Sequence, residues 1–222
     1  MVVNAIPKNP IDPIPEPEPE LPTSNGIDEH TVACWHFDGN KQDEVSGLDF
    51  STSDGTYLTG RFGQALTKNS NNYTVSSTGL VADKITASGD CTVDFWLFYN
   101  QLSTSEGFVD IGENGYWGVR LGINSKTGKV SIKIQNTEKA SATYAFAVAT
   151  WYLISLQKKG NIISVFINGV KVLEYDATDE VKLFTGVGVS FKLFLVALDE
   201  ARISNVARYD VDFTPPEKPY SA

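Results

Sequence analysis

The sequence predicts an all-β protein: a two-sheet antiparallel β-sandwich of jelly-roll type, behind an extended proline-rich N-terminal arm. Three observations predict it. Proline is confined to the ends of the 222-residue chain, with seven of ten between residues 7 and 22 and three between 215 and 219, so residues 23–214 hold none. The 18 glycines do the opposite, all falling between Gly26 and Gly188. Proline lacks the N–H that a central strand must donate, whereas glycine supplies the tight turns between strands. From residue 31 onward, apolar residues alternate with polar ones or form short runs rich in Val, Ile, Thr and aromatics, which is the strand signature. No segment carries twelve residues of helical periodicity, and Gly79–Ala87 is read as one short helical turn at most.

The first element is the arm, residues 1–26. Residues 7–22 read PKNPIDPIPEPEPELP. Alternating Pro-Glu forms neither helix nor sheet and favours hydrated, semi-rigid polyproline II, so at about 3.1 Å per residue the stretch reaches about 50 Å. Five of the chain's nine net negative charges lie in residues 1–30. Ahead of the rod sits an apolar head, Met1–Ile6, and Val2, Val3 and Ile6 are its candidate anchor to a larger assembly by strand addition. The bland reading of the same composition is a disordered terminus.

The domain, residues 27–216, follows, with 217–222 read as a tail. Strands are expected at Thr31–Phe37, Gln64–Thr67, Tyr73–Ser76, Asp90–Tyr99, Gly107–Gly112, Trp117–Ile123, Lys129–Gln135, Thr143–Val148, Trp151–Lys158, Ile162–Asn168, Val170–Tyr175, Gly186–Val189 and Leu193–Ile203. Asn168-Gly169 between IISVFI and VKVLEY is a hairpin signal, because a type I′ turn needs positive φ at both central residues. Lys159-Gly160-Asn161 closes a second hairpin before it, which makes three strands a meander. In CTVDFWLFY, Cys91, Val93, Phe95 and Leu97 face one way and Thr92, Asp94, Trp96 and Phe98 the other, as in a central strand. Trp35, Trp96 and Trp151 are expected in the core, and Arg202 and Arg208 are expected to tie the last strand to acidic neighbours.

Composition excludes several functions. A net charge of −9 argues against nucleic acid, which needs clustered Lys and Arg. No run of 18 apolar residues exists for membrane insertion, and the N-terminus lacks the apolar core of a secretory signal. Two cysteines make no disulfide framework, and Cys34 and Cys91 are read as buried thiols, with their pairing left open.

Five segments occur in an order that resembles a known family: ACWHFDGN (33–40), GRFGQAL (60–66), CTVDFWLFY (91–99), GNIISVFINGVKV (160–172) and LDEARISNVARYDVDFTPP (198–216). Together they resemble the concanavalin A-like lectin/glucanase superfamily, in the laminin-G-like jelly-roll form found in phage virion proteins. The closing segment is the most specific part.

The resemblance raises hydrolysis, which requires two carboxylates about 5 Å apart in retaining glycosidases. Glu174-Tyr175-Asp176-Ala177-Thr178-Asp179-Glu180 runs into a polar turn, and Asp110 and Glu113 fall on opposite strand faces, so no enzyme is expected. It implies instead a lectin-like role, with sugar stacking and hydrogen bonding at Asn114, Tyr116 and Trp117 and further candidates at Tyr99 and Tyr144. The alternative is that Trp117 simply packs as a strand residue. The resemblance also implies a structural Ca²⁺ held by Asp38 and Asp199, with Asp43 a further candidate; the alternative makes Asp38-Gly39-Asn40 a turn.

Arm, domain and resemblance together predict a multicopy or homo-oligomeric virion protein, a capsid decoration, head fibre or tail module. It would be made in the host cytoplasm, bound to other virion proteins through its arm, and would display the domain toward surface glycans. A bacterial surface adhesin or carbohydrate-binding module is the alternative, and a purely shell-stabilising protein the third.

Overall fold

A computed structural model describes residues 26–47, 49–50, 55–67, 75–78, 89–111, 118–180, 188–192 and 196–221. The anchor candidates Val2, Val3 and Ile6, and the expected turn at Gly79–Ala87, lie outside the described residues. Among those described, every regular element is a strand: β1 (Thr31–Trp35), β2 (Thr56–Thr59), β3 (Gln64–Thr67), β4 (Val75–Thr78), β5 (Cys91–Tyr99), β6 (Gly107–Ile111), β7 (Val119–Asn124), β8 (Lys129–Ile134), β9 (Thr137–Thr143), β10 (Trp151–Lys159), β11 (Ile162–Ile167), β12 (Val170–Asp176), β13 (Gly188–Lys192) and β14 (Val196–Ser204).

They form two antiparallel sheets. One runs β12-β11-β10-β5-β14-β3-β2, with β1 also paired to β14, and the other runs β4-β13-β6-β7-β8-β9. Alternation decides what lies between them. Val93, Phe95 and Leu97 of β5 and Ile154 and Leu156 of β10 meet Val109, Leu121 and Ile132 of the facing sheet in one buried apolar cluster. Each such side chain contributes about 1.5–3 kcal/mol when fully withdrawn from water. The meander β10-β11-β12 forms as the turn chemistry predicts, and Asn168 (φ 51°) and Gly169 (φ 79°) both adopt the left-handed region.

Two expected elements differ. Thr143–Val148 is not a strand; the strand is Thr137–Thr143, an edge strand of polar sequence reached through Gln135 (φ 51°) and Asn136 (φ 61°). After it, Tyr144 and Phe146 leave the sheet and pack their rings on Tyr152. The strand Thr56–Thr59 was not expected, because four residues between two glycines read as turn.

The outer face of the eight-stranded sheet is covered by the chain's own closing segment. Gln157 accepts from the N–H groups of Arg208 and Tyr209 (2.7 and 2.8 Å) and donates to the Tyr209 carbonyl (2.7 Å). The Tyr209 ring stacks on Phe213 at 3.6 Å, and both lie against Phe166. Arg202 and Asp94, each 0% exposed, pair beneath this segment at 2.7 Å. The stretch read as a tail also docks, since Tyr220 is buried and Ser221 bridges Gly26. Trp35 and Trp96 are buried, whereas Trp151 is half-buried and tilted against Phe98.

Candidate functional site

The outer face of the six-stranded sheet carries no such cover from the closing segment, and the register builds it in rows across the strands. Asp110, Arg120, Lys133 and Glu138 are successive cross-strand partners on β6 to β9. Gly122, Ser131 and Ser141 form the next row, and Asn124, Lys129 and Thr143 the one beyond. The middle row has almost no side-chain height: Glu106 lies over Gly122 and Ser131, both buried, and the row opens as a shallow trough at the exposed Ser141. A Cβ on Gly122 would stand 2.5 Å from Glu106 Oε1 and 2.7 Å from Ser131 Oγ, so only glycine lets Glu106 lie across the trough.

Opposite charges tile this face. Arg120 grips Asp110 with two bonds, Nε to Oδ1 at 2.5 Å and Nη2 to Oδ2 at 2.9 Å, the bidentate fork that suits guanidinium to carboxylate. Lys133 pairs with Glu106, and Lys129 with Glu138 at 2.8 Å. The Lys129 ammonium holds the exposed Glu138 carboxyl below its usual range. Three cations therefore face three anions, and a chain of net charge −9 presents a charge-balanced surface here. Such alternation offers N–H donors and carboxylate acceptors side by side.

The connection from β6 to β7 holds Asn114, Tyr116 and Trp117, which lie outside the described residues. Its ends are placed: Ile111 pairs Val119 and Asp110 pairs Arg120, so this connection leaves the charged face beside the Asp110–Arg120 pair. Tyr99 does not belong to a binding surface. It follows Leu97 on the inward face of β5, is 4% exposed, and its ring meets Phe146 and Tyr152. Tyr144 is half-buried in the same aromatic group, against Phe146 and Tyr152. Of the carboxylates weighed for hydrolysis, Glu174 pairs with Lys171, Glu180 with Lys139 and Asp110 with Arg120, Asp176 accepts from the Thr178 N–H, and Glu113 lies outside the described residues.

The calcium candidates do not converge as a trio. The Asp43 carboxylate is taken up by its own loop, accepting from the N–H groups of Cys34 (2.8 Å), Val45 (3.0 Å) and Ser46 (2.8 Å). Asp38 and Asp199 grip two sides of the turn 60–63: Asp38 Oδ1 accepts the Gln64 N–H at 2.5 Å, and Asp199 Oδ2 the Phe62 N–H at 3.0 Å. Among the described residues, no three His, Cys, Asp or Glu side chains gather into a metal site. One observation favours a cation: Asp199 Oδ1 is buried without a hydrogen-bond partner. Burial pushes the Asp199 carboxyl up to about 7, against the opposing backbone N–H of Phe62. Nearby, His36 bridges Glu200 (2.6 Å) and Glu44 (3.2 Å), and the bond to Glu200 raises its pKa to about 9 despite burial.

Two packed antiparallel sheets, one of them strapped on its outer face by the closing segment, define a β-sandwich consistent with a jelly roll. A family model for the concanavalin A-like lectin/glucanases superfamily matches residues 67–211, well over half the chain. The chain belongs to that superfamily. Among solved structures it is similar to domain 4 of AbnA, a GH43 extracellular arabinanase from Geobacillus stearothermophilus, in complex with arabinotriose. That match has TM-score 0.63 and 18% identity, covering 81% of this chain and 94% of that domain. It is also similar to the binding domain of Paraclostridial Mosquitocidal Protein 1 (TM-score 0.62, 12% identity, 80% and 49% covered). The botulinum neurotoxin serotype D binding domain is a third (TM-score 0.62, 13% identity, 80% and 48% covered). This chain thus spans nearly all of the arabinanase domain but about half of each toxin domain. Comparison with curated proteins gives no match.

Proposed function

We propose that this protein is a non-catalytic glycan-binding accessory, carried on a virion by its N-terminal arm and displaying its domain outward. One observation supports the reading: the two outer faces of a sandwich point in opposite directions, and Gly26, where the arm joins the domain, lies on one of them. Gly26 and Ser221 meet at the closing segment, which packs on the eight-stranded sheet. The charge-balanced face with Arg120, Lys133, Lys129 and their carboxylate partners lies on the other. A domain held from its ends by the arm therefore turns this face away from its support. Sugar hydroxyls donate and accept at once, which suits alternating ammonium, guanidinium and carboxylate groups. Tyr116 and Trp117, in the β6–β7 connection, would add stacking and Asn114 hydrogen bonding. The ion pairs of Glu174, Glu180 and Asp110, three of the carboxylates weighed for hydrolysis, support a binding role.

A bacterial surface adhesin or carbohydrate-binding module is the second reading, favoured by the solved neighbours: an arabinanase domain with arabinotriose and toxin binding domains. A glycan array probed with the full chain tests the shared part, and mass spectrometry of purified virions tests the setting. Binding that Trp117→Ala removes, with the chain found in virions, supports the first reading; binding without virion association supports the second. No binding at all, with particles that lose stability when the protein is absent, leaves a shell-stabilising role in its place. Calcium is proposed to be held through Asp38 and Asp199, without Asp43. A chelated sample whose melting temperature does not rise on adding Ca²⁺ removes that proposal.

A further inference from the structure

The arm enters the domain at the point where the chain ends its path, and the pairing there has a direction. Gly26 and Ser221 form a parallel bridge, with the Ile27 N–H donating to the Ser221 carbonyl at 2.9 Å. We infer that this junction is a shear clamp, which keeps the sandwich folded while the arm is under tension.

In a parallel pair the two chains run the same way. The segment before Gly26 and the segment after Ser221 therefore leave the bridge toward opposite ends. Tension between the chain's two ends acts along the paired segments and loads their bonds together. An antiparallel terminal pair would have both segments leaving from one end, and its bonds would open one after another.

Buried cations stand behind the bridge. Arg202 Nη1 donates to the Gly26 carbonyl at 2.8 Å, while its Nη2 holds Asp94 of β5 at 2.7 Å. Arg208 donates Nη1 to Asp28 Oδ2 at 2.9 Å and Nη2 to Asp28 Oδ1 at 2.7 Å. On the other side, the Tyr220 N–H donates to Glu200 Oε2 at 2.8 Å, and its ring lies 4.1 Å from the Arg202 guanidinium. Both segments are thus fastened to β14 and, through Asp94, to β5 at the centre of the sheet. Charge-assisted bonds are the strong ones, and the Arg202–Asp94 pair is closed to water as well. The apolar core alone would fold the domain without fastening residues 26–28 at all, so the fork on Asp28 serves the arm's root.

The use of such a clamp rests on the attachment reading, but its existence does not, and its test needs neither partner nor glycan. The full chain is stretched in optical tweezers between its two ends. Wild type is expected to straighten its arm at low force and then rupture in one high-force event. Asp28→Asn and Asp28→Ala change a side chain at the domain's rim and leave the core intact; both are expected to lose that event. Ile132→Val, in the other sheet, is expected to lower equilibrium stability while keeping it, because forced rupture follows the unfolding barrier rather than the equilibrium. A wild type that ruptures at low force overturns the clamp. So does an Asp28→Ala chain that keeps the high-force event, or an Ile132→Val chain that loses it equally.

Discussion

Replacing Arg202 by Met tests the polar interior most severely. The guanidinium is fully buried and donates through Nε and Nη2 to Asp94 Oδ2 (3.2 and 2.7 Å), through Nη1 to the Gly26 carbonyl, and through Nη2 to the Tyr209 hydroxyl (3.2 Å). Methionine fills much of the space but leaves a carboxylate at 0% exposure with only Tyr209 to hydrogen-bond it, at 3.1 Å. Breaking a buried pair from one side costs about 3–5 kcal/mol, because the remaining charge stays desolvated. At about 2–4 °C per kcal/mol for a domain of this size, the melting temperature falls by about 6–20 °C. Arg202→Lys keeps the charge and loses the fork, and should fall between. The double variant Arg202→Met/Asp94→Leu removes both charges and should recover much of the loss. Guanidinium unfolding of the full chain measures all three. A single Arg202→Met variant within about 1 kcal/mol of wild type would show that Asp94 is not held by this pair, and the reasoning fails.

Asp28 makes a pH prediction. Burial alone would raise its carboxyl, but the hydrogen bonds and charge of Arg208 prevail and hold it at about 2. A folded-state value below the unfolded one stabilises above the ordinary value of 3.8 and loses that stabilisation as pH falls toward 2. The stability gap between wild type and Asp28→Asn should therefore close over that window; a gap unchanged at pH 2 contradicts the assignment. Cys34 and Cys91 are buried and unpaired, and burial pushes the Cys91 thiol up to about 12. Neither should react with a thiol reagent until the protein unfolds, and two thiols should then titrate together. Gly169→Ala puts a Cβ into the Phe213 carbonyl at φ +79°, so it should destabilise by more than the roughly 1 kcal/mol of left-handed strain alone; equilibrium unfolding measures it.

The hairpins show how far sequence reaches. Asn168-Gly169 and Gly160-Asn161 carry residues that accept positive φ, so both turns and the meander they join could be read directly. Gln135-Asn136 adopts the same geometry, but glutamine does not advertise it. The strand that follows, TEKASAT, is an edge whose outer side is wet, so no apolar alternation marks it. Apolar alternation points instead to Thr143–Val148, where the Tyr144 and Phe146 rings serve the core from a loop. β14 shows a second limit: Glu200 at φ 48° forms a bulge between Asp199 and Arg202, which sends Asp199 to the turn 60–63 and Arg202 to Asp94. Nothing local announces that bulge. The candidate face was the least legible part. Asp110 and Glu106, Arg120, and Lys133 sit on three different stretches of chain, and only register brings them together. Tyr99 shows the converse: alternation with Leu97 turns it inward, away from any binding surface.

The central claim is that the outer face of the six-stranded sheet binds neutral glycans. Calorimetric titration of the full chain with the best neutral oligosaccharide from an array, beside Ser141→Trp, tests it most directly. Ser141 is exposed in the trough, so indole there fills the space without touching the core. Wild type should bind with an affinity that changes little between low and high salt, since an uncharged ligand feels little screening, and Ser141→Trp should not bind. Equal binding by the two proteins would place the ligand elsewhere and contradict the account.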